Sequence, residues 1–207
     1  RILEFEKKIC NYIGSRYGIA VNSGTAALHG AMFAIDITKG DEVIVPAISF
    51  VASSNCVLYQ NGTPIFCDIE PDTLNIDVNK IEELITAKTK AIVMVDMCGQ
   101  PCKYDKIRKI CNKYNIILIQ DAAHSLGAHY NEMKVGSYAD ITCLSFHPVK
   151  NITTCEGGMI ITNSINYYEK CKIFRTHGII RDYKERDKSN THYYDMTELG
   201  YNYRIPD

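Results

Sequence analysis

Short apolar runs rich in isoleucine and valine recur along the chain and alternate with stretches of helical periodicity. The strand-like runs cover residues 42–45, 64–67, 91–95, 116–119, 141–145 and 159–162, and the helical patterns cover residues 51–59, 78–85 and 104–114. Strands without polar alternation are buried on both faces, and strands that alternate with helices run parallel in one sheet. The alternation therefore predicts an α/β fold with a mainly parallel sheet sandwiched by helices.

The start of the chain predicts a helix, a strand, a tight turn and a second helix. Apolar residues at helical intervals indicate a helix over 3–17, and a short strand follows over 19–21. The turn 22–25 leads into a stretch of helix formers over 26–34. The unpaired N–H groups and the dipole of such a helix start attract an anion, and Gly24 leaves room for it. An ordinary helix with Ser23 or Thr25 as N-cap fits the same residues.

Composition restricts the kinds of partner. The 207 residues are 46% hydrophobic with a formal net charge of −1, and no basic stripe suits nucleic acid or an anionic membrane. No run reaches the length of a transmembrane helix and residues 1–5 lack a signal pattern, so we expect a cytoplasmic protein. The nine cysteines are scattered through apolar segments, which predicts free buried thiols and no metal site.

Ligands of parallel sheets bind beyond the carboxyl ends of the strands. In this sequence the side chains at predicted strand ends include Phe50, Asp121 with His124, and Ser145 with Lys150. A carboxylate at the end of a buried strand needs a cation or a donor, although an aspartate there can also be a helix N-cap. Most lysines that follow a strand are solvated, but a partly desolvated lysine can act as an amine nucleophile.

An anion site, a buried carboxylate, an aromatic ring and a lysine at neighbouring strand ends meet the needs of pyridoxal 5′-phosphate. The lysine can hold the cofactor aldehyde as a Schiff base, and the aspartate can keep the ring nitrogen protonated. The turn Ser23 to Thr25 would hold the phosphate. These residues therefore predict a pyridoxal-phosphate site, with Lys150 at its centre.

Five segments then carry a resemblance to the DegT/DnrJ/EryC1/StrS sugar aminotransferases, which are fold-type I pyridoxal-phosphate enzymes. The segments run in the family's order over nearly the whole chain: 22–28 (NSGTAAL), 40–46 (GDEVIVP), 121–128 (DAAHSLGA), 145–158 (SFHPVKNITTCEGG) and 200–204 (GYNYR). The resemblance implies that residues 1–207 form the large cofactor-binding domain of such an enzyme. We expect the chain to be a fragment that lacks the protein's N-terminal start and its small C-terminal domain.

The resemblance also implies a role for each matching residue. Lys150 is the Schiff-base lysine and proton shuttle, and Asp121 is the partner of the ring nitrogen. His124 stands where the family has Gln or His near the cofactor hydroxyl. Further matches are the stacking aromatic Phe50, the phosphate contacts Gly24, Thr25 and Ser145, and Asn202, which in the family reaches the phosphate of the neighbouring subunit in a homodimer.

The implied reaction is ping-pong transamination from an amino acid donor, glutamate, to a nucleotide-linked keto sugar. Segments 95–101 and 146–154 are most similar to the branch that aminates C4 of a UDP-linked 4-keto-6-deoxy-N-acetylhexosamine. Gln120 departs from the glutamate that the family commonly has before its aspartate. The rival functions are a lyase or desulfurase of the same fold type and an inactive protein that binds the cofactor in a regulatory or structural role. Residues 181–195 are charged and polar, which predicts a loop.

Overall fold

The computed structural model describes residues 1–180 and 194–206. Its helices are α1 (Ile2–Ile13), α2 (Gly24–Ala34), α3 (Ala52–Tyr59), α4 (Val78–Ile81), α5 (Tyr104–Tyr114) and α6 (Ile165–Phe174). Its strands are β1 (Tyr17–Val21), β2 (Glu42–Pro46), β3 (Thr63–Cys67), β4 (Thr89–Val95), β5 (Ile117–Asp121), β6 (His129–Tyr130), β7 (Met133–Lys134), β8 (Ile141–Ser145), β9 (Gly158–Thr162), β10 (Ile179–Ile180) and β11 (Asp195–Met196).

Seven strands form one sheet in the order β1-β9-β8-β5-β4-β2-β3. The strands from β3 to β8 in this order are parallel, whereas β9 is antiparallel to both β8 and β1. Because two antiparallel steps restore the direction, β1 runs parallel to β8. The carboxyl ends of β1, β8, β5, β4 and β2 therefore meet at one edge of the sheet.

Helices cover both faces of the sheet, and the strands supply alternate residues to each face. On β4, Ile92 and Met94 pack with the apolar residues of α1 and α5, whereas Val93 and Val95 pack with those of α2, α3 and α6. Side chains of successive strand residues point to opposite faces, so a run without polar interruption is buried on both. The predicted sandwich with a mainly parallel sheet is confirmed.

Two predicted helices were too long. The helix predicted over 3–17 ends at Ile13, because Gly14 takes a left-handed φ of 88° and its N–H donates to the Cys10 carbonyl; Tyr17 already belongs to β1. Such a glycine stop is a common helix end. The helix predicted over 78–85 continues beyond Ile81 only as a 3₁₀ turn, Glu82–Leu84.

Three further sequence predictions bear on the surface and the thiols. All nine cysteines are free; seven are buried as predicted, but Cys98 and Cys155 are exposed. The loop predicted over 181–195 falls outside the described residues up to position 193, and Asp195 begins β11. Within the described ranges, no helix combines the length and the apolar composition needed to cross a lipid bilayer.

Candidate active site

A cavity of about 620 Å³ opens at the carboxyl edge of the sheet. Its walls come from the strand ends and from the turns that follow them. Eight of the nine predicted site residues line it: Ser23, Gly24, Thr25, Phe50, Asp121, His124, Ser145 and Lys150. The topology explains this gathering, because β1, β2, β5 and β8 all end at this edge.

The anion end of the cavity is the N-terminus of α2. The Ser23 hydroxyl accepts a hydrogen bond from Ala26 N at 3.1 Å, so Ser23 is the N-cap, as its residue type predicts. The N–H groups of Gly24 and Thr25 donate to no acceptor within the described part of the chain. Two free donors at the positive end of an eleven-residue helix suit a phosphate.

Gly24 lets this helix start approach the end of β8. A Cβ on Gly24 would lie 2.9 Å from Ser145 Cβ and 3.2 Å from Ser145 Oγ. Any other residue would push α2 away from β8 and separate the two N–H groups from the Ser145 hydroxyl. Gly24 is therefore required for contact between two elements, beyond the access for an anion that the sequence suggested.

Asp121 ends β5 and is almost fully buried. Its Oδ2 accepts a hydrogen bond from Ser53 Oγ at 2.7 Å and its Oδ1 accepts one from Ala123 N at 3.1 Å. Burial raises the pKa of the Asp121 carboxyl most strongly. The two hydrogen bonds and the charge of His124 lower this pKa, and Asp96 raises it. No cation forms an ion pair with Asp121 among residues 1–180 and 194–206. A cationic group in the cavity would offset the cost of ionising this carboxylate.

His124 and Lys150 both line the cavity, and the charge of Lys150 acts on His124. Burial first, and then the positive charge of Lys150, lower the pKa of His124 against the opposing effect of Asp121. The imidazole is therefore neutral at physiological pH, where it can both donate and accept hydrogen bonds.

Lys150 follows β8 in a turn in which its N–H donates to the His147 carbonyl at 2.9 Å. The side chain is half-buried. Its ammonium has no carboxylate within ion-pair distance among the described residues. Lys150 thus lines the cavity without an ion-pair partner among the described residues.

Phe50 stands at the mouth of the cavity, in the turn between β2 and α3. Its side chain is 72% exposed, which is costly for an aromatic ring unless something packs on it. The structure thus brings Phe50 to the predicted site with most of its side chain available to contact a planar group.

Asn202 does not line the cavity. It is exposed and forms an isolated bridge with Thr176, and its carbonyl accepts a weak hydrogen bond from the Asn22 side chain at 3.4 Å. The residue therefore lies near the segment that precedes α2, with its side chain outside the site of its own chain.

A buried polar network lies under the cavity and was not predicted as a unit. Asp96, at the end of β4, accepts hydrogen bonds from Tyr104 Oη at 2.6 Å, Gln120 Nε2 at 2.7 Å and Ser125 Oγ at 2.7 Å, and from the backbone N–H of residue 102 at 3.0 Å. Gln120 Oε1 in turn accepts from the Thr142 hydroxyl at 3.0 Å. Ser125 belongs to the turn that carries His124, so this network fixes the position of that turn.

The network explains why glutamine precedes Asp121. Gln120 must donate to Asp96 and accept from Thr142, and a side-chain amide does both at once. An ionised glutamate could not donate, and it would bring a second negative charge against Asp96 in a buried place. The departure from the family pattern is thus matched by its surroundings.

Sequence reasoning missed Ser49 and Ser53, which connect Asp121 to the cavity. Ser49 lines the cavity, and its Oγ lies 2.8 Å from that of Ser53. Ser49 and Ser53 are four residues apart at the start of a predicted helix, and residues i and i+4 share one helix face. This spacing could have indicated that the two hydroxyls lie side by side. It could not show that the face points to Asp121, 68 positions away.

The residues present fit the cofactor that the sequence suggested. The free N–H groups of α2 and the Ser145 hydroxyl suit a phosphate ester, and the buried Asp121 suits a protonated ring nitrogen. The exposed ring of Phe50 suits a planar aromatic ligand, and the unpaired amine of Lys150 suits an aldehyde.

Comparison with known protein sequences gives one family and several named relatives. The model described as DegT/DnrJ/EryC1/StrS aminotransferase family matches residues 1–207. A protein of Methanocaldococcus jannaschii described as uncharacterised is 45% identical over 100% of this chain and 54% of its own length. The GDP-perosamine synthase of Caulobacter vibrioides is 42% identical over 99% and 53%. The UDP-4-amino-4,6-dideoxy-N-acetyl-β-L-altrosamine transaminase of Campylobacter jejuni is 41% identical over 100% and 54%. The chain spans about half the length of these relatives.

Solved structures share the fold. Helicobacter pylori PseC, described as an aminotransferase involved in the biosynthesis of pseudoaminic acid, matches with a TM-score of 0.89 at 34% identity and covers 99% of this chain and 53% of its own. Spr1654 of Streptococcus pneumoniae matches in its PMP-form with a TM-score of 0.91 at 32% identity, over 97% and 55%. Its PLP-form matches with a TM-score of 0.88 at 31% identity, over 97% and 54%.

Proposed function

The chain belongs to the DegT/DnrJ/EryC1/StrS aminotransferase family, and on that premise we propose that the protein is a pyridoxal-phosphate-dependent aminotransferase that transfers an amino group from an amino acid to a nucleotide-linked keto sugar. The observation that carries the proposal is that Lys150, Asp121 and the start of α2 line one and the same cavity. An amine, a buried carboxylate and an anion site on separate strand ends meet there. When bound, pyridoxal phosphate supplies an aldehyde that an amine can attack and a ring that accepts an electron pair.

Different cavity residues would hold different parts of the cofactor. Gly24 N, Thr25 N and the Ser145 hydroxyl bind the phosphate at the positive end of α2. Asp121 holds a proton on the ring nitrogen, and Phe50 stacks on the ring. The solved structures of Spr1654 in its PLP-form and PMP-form support this choice of cofactor.

Lys150 would hold the cofactor through its amine and, when free, would be the group that carries a proton at the reacting carbon. Such a role requires an amine that no carboxylate engages, and Lys150 has no carboxylate partner among the described residues. The neutral His124 accepts or donates a hydrogen bond beside it.

The finer proposal for the substrate is a UDP-linked 4-keto-6-deoxy-N-acetylhexosamine, aminated at C4 with glutamate as the donor. The Campylobacter jejuni transaminase at 41% identity supports it. A GDP-linked 4-keto-6-deoxyhexose is the second candidate, because the GDP-perosamine synthase of Caulobacter vibrioides is 42% identical. The two candidates differ in the nucleotide base and in the acetamido group of the sugar.

We also propose that residues 1–207 form the large domain of the enzyme and that the enzyme acts as a homodimer. In the dimer, Asn202 would reach the phosphate site of the neighbouring subunit. Apolar side chains exposed at the cavity mouth support such a contact: Phe50 is 72% exposed, Val51 is 55% exposed and Val149 is 78% exposed.

The first experiment separates transamination from the lyase and desulfurase reactions. Purified full-length protein, loaded with pyridoxal phosphate, is mixed with glutamate and no sugar. We expect the aldehyde absorbance to give way to that of the amine form, with one 2-oxoglutarate formed per site. A parallel sample contains cysteine in place of glutamate. Release of pyruvate or sulfide from cysteine while the aldehyde form persists with glutamate would contradict the aminotransferase proposal, and a bound cofactor that reacts with neither amino acid would favour the inactive protein.

The second experiment decides the substrate. The protein in its amine form is mixed with UDP-linked and GDP-linked 4-keto and 3-keto sugars, one at a time, and the return of the aldehyde absorbance is followed. We expect the UDP-linked 4-keto-N-acetylhexosamine to react at least ten times faster than the GDP-linked sugar, because a site built for an acetamido group rejects an analogue without it. The reverse order would assign the GDP-linked substrate.

A further inference from the structure

Asp121 lines the cavity, and two serines form a second, hydrogen-bonded path from its buried Oδ2 to the cavity wall at Ser49. Ser49 lines the cavity, and its Oγ lies 2.8 Å from the Oγ of the fully buried Ser53. Ser53 Oγ lies 2.7 Å from Asp121 Oδ2. Ser53 sits in the first turn of α3, where its N–H donates to the Phe50 carbonyl at 3.1 Å. The path thus links the aromatic turn after β2 with the carboxylate at the end of β5.

Of the side chains around Asp121, Ser53 stabilises the ionised carboxylate most. Asp96, directly after β4, disfavours the ionised carboxylate, and His124, in the turn that follows Asp121, favours it only when protonated. Burial and the charge of Lys150 keep the pKa of His124 low. The thiols of α3 and β8 that face Asp121 have raised pKa values and stay neutral. Among the described residues, Ser53 is the one side chain that donates a hydrogen bond to Asp121.

The hydroxyl pair can adopt two orientations that differ by one proton on Asp121. In the first, Ser49 donates to Ser53 and Ser53 donates to the ionised carboxylate. In the second, protonated Asp121 donates to Ser53, Ser53 donates to Ser49, and Ser49 donates to an acceptor in the cavity. In passing from the first to the second, a donor in the cavity gives a proton to Ser49, Ser49 gives its own to Ser53, and Ser53 gives its own to Asp121. Each hydroxyl oxygen thus gains one proton and loses one, and the donor in the cavity becomes the acceptor.

We propose that Ser53 is a positioning residue that holds Asp121 in the ionised form required by the cofactor ring, and that Ser49 completes a proton path between Asp121 and the cavity. The proposal rests on the proposed function for its purpose, but the path itself is a property of the chain. A serine that merely filled space between α3 and β5 would leave the acidity of Asp121 unchanged.

The test is a carboxyl titration of the full-length, cofactor-free protein, labelled with ¹³C at aspartate Cγ. The Asp121 signal is identified by its loss in Asp121→Asn. In Ser53→Ala we expect the acid dissociation constant of Asp121 to fall about tenfold, because one hydrogen bond to the charged form is lost. Ser53→Thr, which keeps the hydroxyl, should restore it. Ser54→Ala is the matched control, since that neighbouring hydroxyl donates to the Val51 carbonyl at 3.0 Å instead.

An Asp121 titration that is the same in Ser53→Ala and in Ser54→Ala would overturn the proposal. If Ser53→Ala does not fold, Ser49→Ala carries the test. It should weaken the acidity of Asp121 in the same direction by a smaller factor, because Ser53 loses the donor that polarises it. An unchanged titration in Ser49→Ala would then overturn the proposal.

A second measurement separates this proposal from the proposed function. Wild-type protein should bind pyridoxal phosphate about tenfold more tightly than an analogue with carbon in place of the ring nitrogen, and Ser53→Ala should lose most of that preference. If neither compound binds although Ser53→Ala shifts the titration, the proposed function fails and the serine path stands. If both bind but the preference is the same in wild type and variant, the path does not serve the cofactor and this inference fails alone.

Discussion

Gly24 is the residue at which the fold and the site depend on each other most closely. Its replacement by alanine would place a Cβ 2.9 Å from Ser145 Cβ. We expect Gly24→Ala to lower the free energy of unfolding by about 1–3 kcal/mol, because one of two packed elements must shift. We also expect weaker binding of pyridoxal phosphate, since the shift separates the N–H groups of α2 from the Ser145 hydroxyl. Chemical denaturation and a fluorescence titration with the cofactor measure the two effects.

Gly30 supplies the matched control in the same helix. A Cβ there would lie 2.7 Å from the Cδ1 of Ile160, the flexible end of a side chain that is not among the residues lining the cavity. Gly30→Ala can therefore change stability but should leave cofactor affinity as in the wild type. Equal losses of affinity in the two variants would show that the helix start has no special part in phosphate binding.

His29 is a buried titratable residue outside the cavity. Burial lowers its pKa from 6.5 to about 4. Gln60 Nε2 donates to His29 Nε2 at 2.8 Å, so the other ring nitrogen carries the proton and donates to Tyr203 Oη at 3.0 Å. The neutral ring thereby joins α2 to the end of α3 and to the segment that contains Asn202.

The lowered pKa of His29 predicts a loss of stability in mild acid. Because the folded-state pKa lies below the ordinary value, the stabilisation is present above pH 6.5 and is lost as the pH falls towards 4. Between pH 7 and pH 5 we expect the free energy of unfolding to fall by about 2 kcal/mol on account of this residue. The measurement is urea denaturation at both pH values for wild type and His29→Phe, which keeps a ring among the surrounding aromatic side chains.

In His29→Phe this part of the pH dependence should be missing. The variant should be less stable than the wild type at pH 7, because the hydrogen bonds to Gln60 and Tyr203 are lost. If wild type and His29→Phe lose the same free energy between pH 7 and pH 5, the pKa of His29 is not depressed in the folded protein.

Residue types at strand ends were enough to predict which side chains meet, but not how they are held. Lys150, Asp121 and Ser145 could be placed at one edge because each follows an apolar run. The hydrogen bond from Ser53 to Asp121 could not, because it depends on the rotation of α3 about its axis. The exposure of Asn202 in its own chain was equally inaccessible, since no local pattern reports it.

At the scale of elements, the Asp96 network joins β4, α5, β5 and β8 beneath the cavity. Gln120→Glu would set a second carboxyl beside Asp96 in a fully buried position. We expect a loss of about 2 kcal/mol in the free energy of unfolding at pH 8. The pKa of such a glutamate is raised by folding, so its loss of stability grows as the pH rises and is smaller at pH 5. Thermal or chemical denaturation at both pH values measures the difference.

Gln100→Glu is the control for this substitution. The Gln100 side chain is exposed and follows the 3₁₀ turn Met97–Gly99, which comes directly after Asp96. It should change the free energy of unfolding by less than about 0.5 kcal/mol at either pH. A Gln120→Glu variant as stable as Gln100→Glu at pH 8 would mean that Gln120 does not bridge Asp96 and Thr142 as a donor and acceptor.

The predicted and observed bounds of the strands agree where a strand is long and apolar. The predicted bounds of β8, 141–145, match the structure, although the buried apolar side chains continue to Phe146, whose N–H still donates to the Gly157 carbonyl. β5 extends past its apolar run to Asp121, since its pairing with β4 and β8 continues through Gln120 and the buried network satisfies both polar side chains. The strands β6, β7, β10 and β11 have two residues each, too few to show a pattern.

At the scale of the whole molecule, the proposed homodimer makes each site depend on two chains. Lys150→Ala would abolish activity and Asn202→Ala would reduce it by weakening the phosphate contact from the partner. In a mixed dimer of these variants, one site has both substitutions and the other has neither. Mixing the two inactive or weakened proteins should therefore restore up to about a quarter of the wild-type sites, as expected for random pairing in a twofold-symmetric dimer.

Subunit exchange before the assay is the necessary step, and a sample mixed without exchange is the control. If the exchanged mixture is no more active than the sum of its components, Asn202 acts within its own chain or the enzyme works as a monomer. Sedimentation of the wild-type protein separates those two outcomes.

The central claim is that Lys150 binds the cofactor in this cavity, and borohydride reduction of the loaded full-length protein tests it most directly. After reduction, digestion and mass spectrometry, we expect the added cofactor mass on the peptide that contains Lys150, together with loss of the visible absorbance. Lys88→Ala, which removes an exposed lysine outside the cavity, should behave as wild type, whereas Lys150→Ala should show neither the absorbance nor the modified peptide. Cofactor fixed to a different lysine, or an unchanged visible absorbance in Lys150→Ala, would contradict the account.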